Sequence, residues 1–344
     1  MIRIADSARA PVTAGLLVAT VFVALCSLAL GPLQIPLNRT IEIVLGLIGI
    51  GQSSVPAYEQ ATIEVIRLPR VLTALVAGAA LAGGGAVLQG LTRNPLVEPA
   101  LIGISSGAAL GAALVIVWGL GSLLLPMAAF GGGLLSALAV FALARADGRP
   151  SAVAPLLGGV AINALTAALL GRMIYAADDQ QLRTLTFWMF GSLARTDWAA
   201  LQWLVPVVAV CCVMMVREHR SLDALALGDQ VAGHLGVDGQ RVRNRLLGAT
   251  VLAVGAVVAY TGVIAFVGLV VPHVVRLLLG AHHRFLIPGS LIVGAGLTVL
   301  ADTLARMVVA PAELPIGVVT SLVGAPVFIA LLWLRRREQA GDDA

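Results

Sequence analysis

Apolar residues fall into ten runs along the chain, over 11–31, 68–91, 100–120, 122–144, 152–172, 198–216, 244–260, 261–280, 285–304 and 315–334. A helix needs about 20 mainly apolar residues to cross a hydrocarbon layer roughly 30 Å thick, so each run predicts a transmembrane helix. The seventh and eighth runs are continuous and would make a helix about 50 Å long at 1.5 Å per residue. The chain is therefore expected to fold back near Tyr260 to Gly262. Arg3 and Arg9 ahead of the first run give it the layout of a secretory signal, but its length fits a retained helix. The pattern predicts an all-α integral membrane protein, with residues 1–344 forming one transmembrane domain.

Three segments interrupt this pattern. Residues 35–49 are apolar on one side but too short, and too charged at Arg39 and Glu42, to span. They read as an interfacial helix on the outer surface. Residues 178–198 carry Phe187, Trp188 and Trp198, aromatic groups suited to a membrane boundary, and serve either as an anchor or as a substrate contact. The third segment, SLDALALGDQVAGHLGV over 221–237, predicts two short helices. Ser221 and Asp229 stand where N-caps belong, Gly228 and Gly236 where helices end, and Leu222, Leu225, Ala226, Val231, Ala232 and Leu235 give each helix an apolar face. Such a pair either docks onto a partner or lies on the inner leaflet.

Small residues recur at helical spacing. Gly103, Gly107 and Gly111 share one face of the third run and predict a packing seam, and Gly78, Gly83, Gly84 and Gly85 suggest the same in the second. Pro155, Pro272 and Pro326 lie in or beside runs, where a lost backbone hydrogen bond bends a helix.

Composition agrees with a membrane solvent, since 59% of residues are hydrophobic and only 12% charged. All 22 basic residues are arginines, and they set the orientation. With both termini inside, fifteen fall on the cytoplasmic side and seven outside, the bias expected of a multi-pass protein. Residues 221–237 then face the cytoplasm. The net charge of +4 comes from these loop arginines and does not suggest a nucleic-acid surface. Cys26, Cys211 and Cys212 sit in apolar runs without metal-site or disulfide spacing.

Candidate chemistry is sparse. An ion-coupled carrier needs carboxylates near the midplane, but Glu64, Glu98, Asp302 and Glu313 all fall at the ends of runs. The histidines, at 219, 234, 273, 282 and 283, gather near the cytoplasmic side without a ligand motif, and no metal site is expected. A phosphate-binding loop of the form GxxxxGK[ST] requires lysine, which this chain lacks, so any ATP that drives it is bound by another subunit.

The stretches RLPRVLTALVAGAALAGGGAVLQGLTRNPLVEPALIGISSGAALG, LALGDQVAGHLGV, AFVGLVVPHVVRLLLG and ELPIGVVTSLVGAPVFIALL resemble the FecCD-type permease subunits of type II ABC importers for iron siderophores, haem and cobalamin, over about 62–335. The resemblance implies ten transmembrane helices per subunit and a homodimer in the bacterial inner membrane. It also implies two ABC ATPases that hold ATP and Mg, and a periplasmic substrate-binding protein, with no cofactor bound by this chain and no enzymatic activity of its own. Leu225, Ala226, Leu227, Gly228, Asp229, Ala232, Leu235 and Gly236 match the family's ATPase-coupling helices. Arg67, Arg70 and Arg306 match outer-face arginines that pair with glutamates of the binding protein. Asn94 and Leu96 match a cytoplasmic gate, and a second gate element falls at Ser151 and Ala152. LRTLTFWMFGSL is closest to haem permeases, with Arg172, Met173 and Tyr175 as candidate pathway residues toward haem or another iron chelate.

Overall fold

The computed structural model describes residues 6–47, 49–50, 55–145 and 154–342. The order of helices is α1 (Asp6–Ala29), α2 (Leu37–Leu47), α3 (Ala57–Ala61), α4 (Leu68–Thr92), α5 (Ile104–Val117), α6 (Leu124–Arg145), α7 (Ala154–Ala176), α8 (Asp179–Met189), α9 (Trp198–Arg217), α10 (His219–Ala226), α11 (Asp229–His234), α12 (Gly239–Thr261), α13 (Val267–Leu279), α14 (His283–Met307) and α15 (Ile316–Asp342). A π-helical turn, Thr62–Arg67, joins α3 to α4, and a 3-10 turn, Pro99–Ile102, precedes α5. Among the described residues seven helical stretches are long and apolar enough to cross a membrane, and α5, α13 and Ile316–Leu331 of α15 are shorter apolar helices.

Helix α4 is the centre of the bundle. It packs against α14, α12, α13 and α9, and its residues from Ala80 to Leu91 are all buried. Burial on every side requires small side chains, because helices in lipid gain stability from close backbone approach rather than from leaving water. Gly78 lies against the Gly294 carbonyl of α14, and Gly85 against the Gly268 carbonyl of α13. The expected seam on α5 is also present: Gly107 and Gly111 meet Gly132 and Ala128 of α6. A Cβ at residue 85 would overlap the Gly268 backbone, whereas one at Gly15 on α1 meets nothing within 4 Å. Gly85→Ala is expected to cost about 1–3 kcal/mol through overpacking. The thermal midpoint of the detergent-solubilised variant should fall clearly below that of Gly15→Ala.

The fold-back between the seventh and eighth runs is where the length argument put it: α12 ends at Thr261 and Gly262 takes φ +69°. The return is not a tight turn. Residues 262–266 run back into the bundle as non-helical backbone, and α13 begins where Gly268 meets Leu81, Gly85 and Pro99. Helix α5 likewise starts inside the bundle, after the 93–103 connection. Two short helices thus begin at depth, an arrangement tolerated in a membrane where protein rather than lipid surrounds the irregular backbone.

Within the stretch expected to form a short helix, Leu37–Leu47 make α2, held by Ile35, Ile43 and Ile63 and by an Arg39–Glu59 ion pair of 2.7 Å. Helix α8 opens with a capping box between Asp178 and Gln181. Its Trp188 is buried in the core, a correction to the expected boundary anchor, whereas Phe187 and Trp198 are exposed.

Candidate functional site

The half-polar segment 221–237 forms two short helices at one end of the bundle. Helix α10 buries Leu222, Ala224 and Leu225, and packs on α4, α14, α12 and α9. Helix α11 buries only Ala232, leaving Leu227 (68% exposed), Val231 and Leu235 (62% exposed) outside. One helix is therefore rooted in the core and the other projects an apolar tip. The caps differ from the expectation: Glu218 precedes α10, and Ser221 lies within it and donates its hydroxyl to Glu218. Gly228, at φ +119°, is the N-cap of α11, so Asp229 opens that helix with its carboxylate free for other partners. Gly228 and Gly236 do supply the positive φ angles that end the two short helices.

Asp229 ties the tip to the bundle. Its Oδ1 accepts from Arg93 at 3.0 Å and from Arg243 at 3.1 Å, on the end of α4 and the start of α12. Arg93 takes a left-handed conformation at the C-cap of α4, and its Nε donates to the Leu225 carbonyl. One carboxylate thus joins α11 to the ends of two central helices. In the next residues Asn94 Oδ1 accepts from the Leu96 backbone N–H, and the Leu96 side chain is exposed. The structure therefore brings Asn94 and Leu96 within three residues of the Arg93 contact. Ser151 and Ala152 lie outside the described residues.

The opposite end holds Arg67, Arg70 and Arg306, and here the structure corrects the sequence reading. All three are buried, at 3%, 7% and 3% exposure, and are not surface cations. Arg67 donates to the carbonyls of Leu28, Ala29 and Leu33. Arg70 is bidentate to both Asp302, at 3.0 Å, and Glu313, at 2.9–3.0 Å. Arg306 pairs with Asp302 at 3.2 Å and donates to Ser27. Charge burial is costly unless each charge is paired, so these groups bind α1, α4 and α14 together at their shared end.

Glu98 is also misplaced by the sequence reading. Its neighbour Pro99 packs on Gly84, eight residues from the end of α4, which puts it about 12 Å inside that end at 1.5 Å per residue. Its carboxylate takes the backbone N–H of Phe266, the left-handed residue that opens α13. A carboxylate at this depth, joining the starts of α5 and α13, could not be read from a pattern that assumed full-length spans. Arg172 and Tyr175 are exposed near the end of α7, with Met173 half-buried, and the structure does not gather them with the other candidate residues. Among the described residues no cluster of three or more histidine, cysteine or acidic side chains could hold a metal. The three cysteines are free thiols.

Seven long apolar helices, three shorter ones and a rooted pair at one end give the described residues the architecture of a multi-pass membrane protein. The chain belongs to the FecCD transport family, whose profile matches residues 18–334. It is 47% identical over 280 residues to the hemin transport system permease protein of Yersinia pestis, covering 80% of this chain and 83% of that one. It is 43% identical over 280 residues to the vitamin B12 import system permease protein of Escherichia coli, with 79% and 83% covered. A cobalamin import system permease protein of Halobacterium salinarum is 38% identical, with 82% and 76% covered. A solved structure described as an inward-facing metal-chelate-type ABC transporter superposes with a TM-score of 0.81 at 33% identity, covering 94% of this chain and 99% of that one. The protein is thus an ABC importer permease and not an enzyme; in this class ATP is hydrolysed by a separate ATPase subunit.

Proposed function

We propose that this chain carries haem across the bacterial inner membrane by alternating access, as a homodimer served by two ABC ATPases and a periplasmic substrate-binding protein. Both termini and the α10–α11 pair face the cytoplasm in this reading, as the arginine distribution favours. ATP and Mg belong to the ATPases, and haem or another iron chelate is cargo rather than a resident cofactor. The observation that carries the coupling role is the contrast within 219–237: a core-buried α10, an apolar tip at Leu227, Val231 and Leu235, and one carboxylate, Asp229, held by two central helices. An ATPase groove that takes this tip and closes on ATP binding would push α4 and α12 and reset the turn at Asn94 and Leu96.

Haem is favoured over cobalamin by the higher identity to the hemin permease, 47% against 43%. Cobalamin or a ferric siderophore on the same machinery is the second reading. The test is ATP-driven uptake into proteoliposomes holding permease, ATPase and binding protein, with haem, a ferric siderophore and cobalamin in parallel. Preferential haem uptake is expected, and preferential uptake of either other cargo overturns the assignment. Uptake driven by an ion gradient with ATP exhausted would instead place the chain among secondary carriers, and no uptake of any cargo would leave it a scaffold or receptor.

The arginine triad enters this reading as the support of the binding-protein platform. Docking through Arg70 itself would need a visiting carboxylate to take over from Glu313, whose side chain is 36% exposed and so the accessible member of the network. Arg70→Glu is expected to abolish delivery and also to lower the thermal midpoint, because the buried arginine holds Asp302. Loss of binding-protein affinity with an unchanged midpoint would show a purely surface role.

A further inference from the structure

We propose that a cavity behind the coupling knuckle binds the phosphate of an anionic membrane phospholipid. The cavity, about 830 Å³, lies between α10, the turn joining α13 to α14, and the first residues of α1. Three guanidinium groups line it, Arg9, Arg220 and Arg276, together with His282. One carboxylate, Asp223, is also present, and its Oδ1 is already engaged by the backbone N–H and Nδ1 of His283, at 3.1 and 2.7 Å. Among the described lining residues three guanidinium groups thus stand against one carboxylate, Arg276 also donating to Gln89 Oε1 at 3.0 Å and Arg9 lying over the Phe285 ring, and guanidinium forks match phosphate oxygens in shape and charge.

Depth separates a lipid from a soluble anion as the occupant. Arg9 opens the apolar stretch Arg9–Ala29, Arg276 sits in the last turn of the apolar α13, and His282 precedes the apolar stretch His283–Met307. Three membrane segments thus end at the rim, placing the cations at the level of headgroups. Leu277 and the exposed Leu278 make the wall apolar beside Arg276, and farther from this end of the bundle α1 presents Leu17, Val18, Val21 and Phe22 outward. A basic pocket between membrane helices over an apolar wall suits a headgroup with its acyl chains running alongside. The opposite wall is Leu227 and Leu235, so the lipid would brace the knuckle from behind.

This inference rests on the membrane topology proposed above but not on the cargo or the ATPase, so lipid selectivity and ATP-driven uptake can fail independently. The test is retention of dioleoylphosphatidylglycerol against dioleoylphosphatidylcholine by the purified full-length chain, read by native mass spectrometry. Selective retention of the anionic lipid is expected, and two lost charges in Arg9→Gln/Arg220→Gln should weaken it about tenfold or more. The corresponding double lysine variant, which keeps the charge but not the fork, should retain the preference for the anionic lipid and hold it less tightly than wild type. Leu278→Trp, which fills the apolar wall and leaves the charges in place, should also weaken retention and guards against misfolding of the charge variant. Equal retention of both lipids, or wild-type selectivity in both the charge and the Leu278 variants, overturns the proposal. So does displacement of the lipid by millimolar inorganic phosphate, which would make the site one for a free anion. Complete loss of the lipid when the ATPase subunit is bound would also overturn it, making the cavity a protein-docking surface.

Discussion

Asp302→Ala is expected to lower the stability of the folded bundle by about 3–5 kcal/mol, the cost of leaving buried charge without its partner. Asp302 is 1% exposed and serves both Arg70 and Arg306, themselves nearly as buried. Removing it strands Arg306 on neutral partners and leaves Arg70 with Glu313 alone. Glu313→Ala is the comparison, since its carboxylate is partly exposed and a pair in contact with water contributes about 0–1 kcal/mol. Thermal or denaturant unfolding in detergent should separate the two variants clearly. Equal, small losses would show that the arginines at this end are solvated in the folded protein.

Asp229→Arg is expected to cut ATP-driven uptake more than tenfold while the bundle stays folded. The ion pairs at Asp229 are part exposed, with side-chain exposures of 45% and 22% for Arg93 and Arg243, so their loss costs at most about 1 kcal/mol each. The consequence is mechanical: a third guanidinium beside Arg93 and Arg243 repels, and the tip parts from the ends of α4 and α12. ATP hydrolysis by the assembled complex should continue without matching uptake. Wild-type uptake by the variant would remove Asp229 from the coupling path.

Much of this architecture was legible in the sequence because membrane helices obey a length rule. The break after Thr261 and the glycine seam between α5 and α6 follow from run length and small-residue spacing, α2 from a one-sided apolar stretch too short to span, and the paired helices within 221–237 from their apolar faces and terminating glycines. The reading fails where tertiary partners decide. Arg70 meets Asp302 across 232 residues of sequence, and no local pattern distinguishes a buried, paired arginine from an interfacial one. A full-length third span puts Glu98 at its end, whereas α5 begins only at Ile104, after the chain has re-entered the bundle through the 3-10 turn Pro99–Ile102. Trp188 has the sequence setting of a boundary aromatic, yet its side chain is buried in the main core cluster. The N-cap of α10 is Glu218, three residues before Ser221, and that of α11 is Gly228, one before Asp229, where the glycine supplies the backbone geometry in place of a side-chain cap.

The central claim is that a separate ATPase drives transport through the tip formed by Leu227, Val231 and Leu235. Its most direct measurement is cross-linking from Leu227→Cys in the membrane-embedded complex, with and without ATP, to single cysteines placed around the groove of the ATPase. The account predicts a permease–ATPase adduct whose yield changes on ATP binding. An adduct formed only with a lipid-phase reagent, and none with the ATPase in either state, would contradict it.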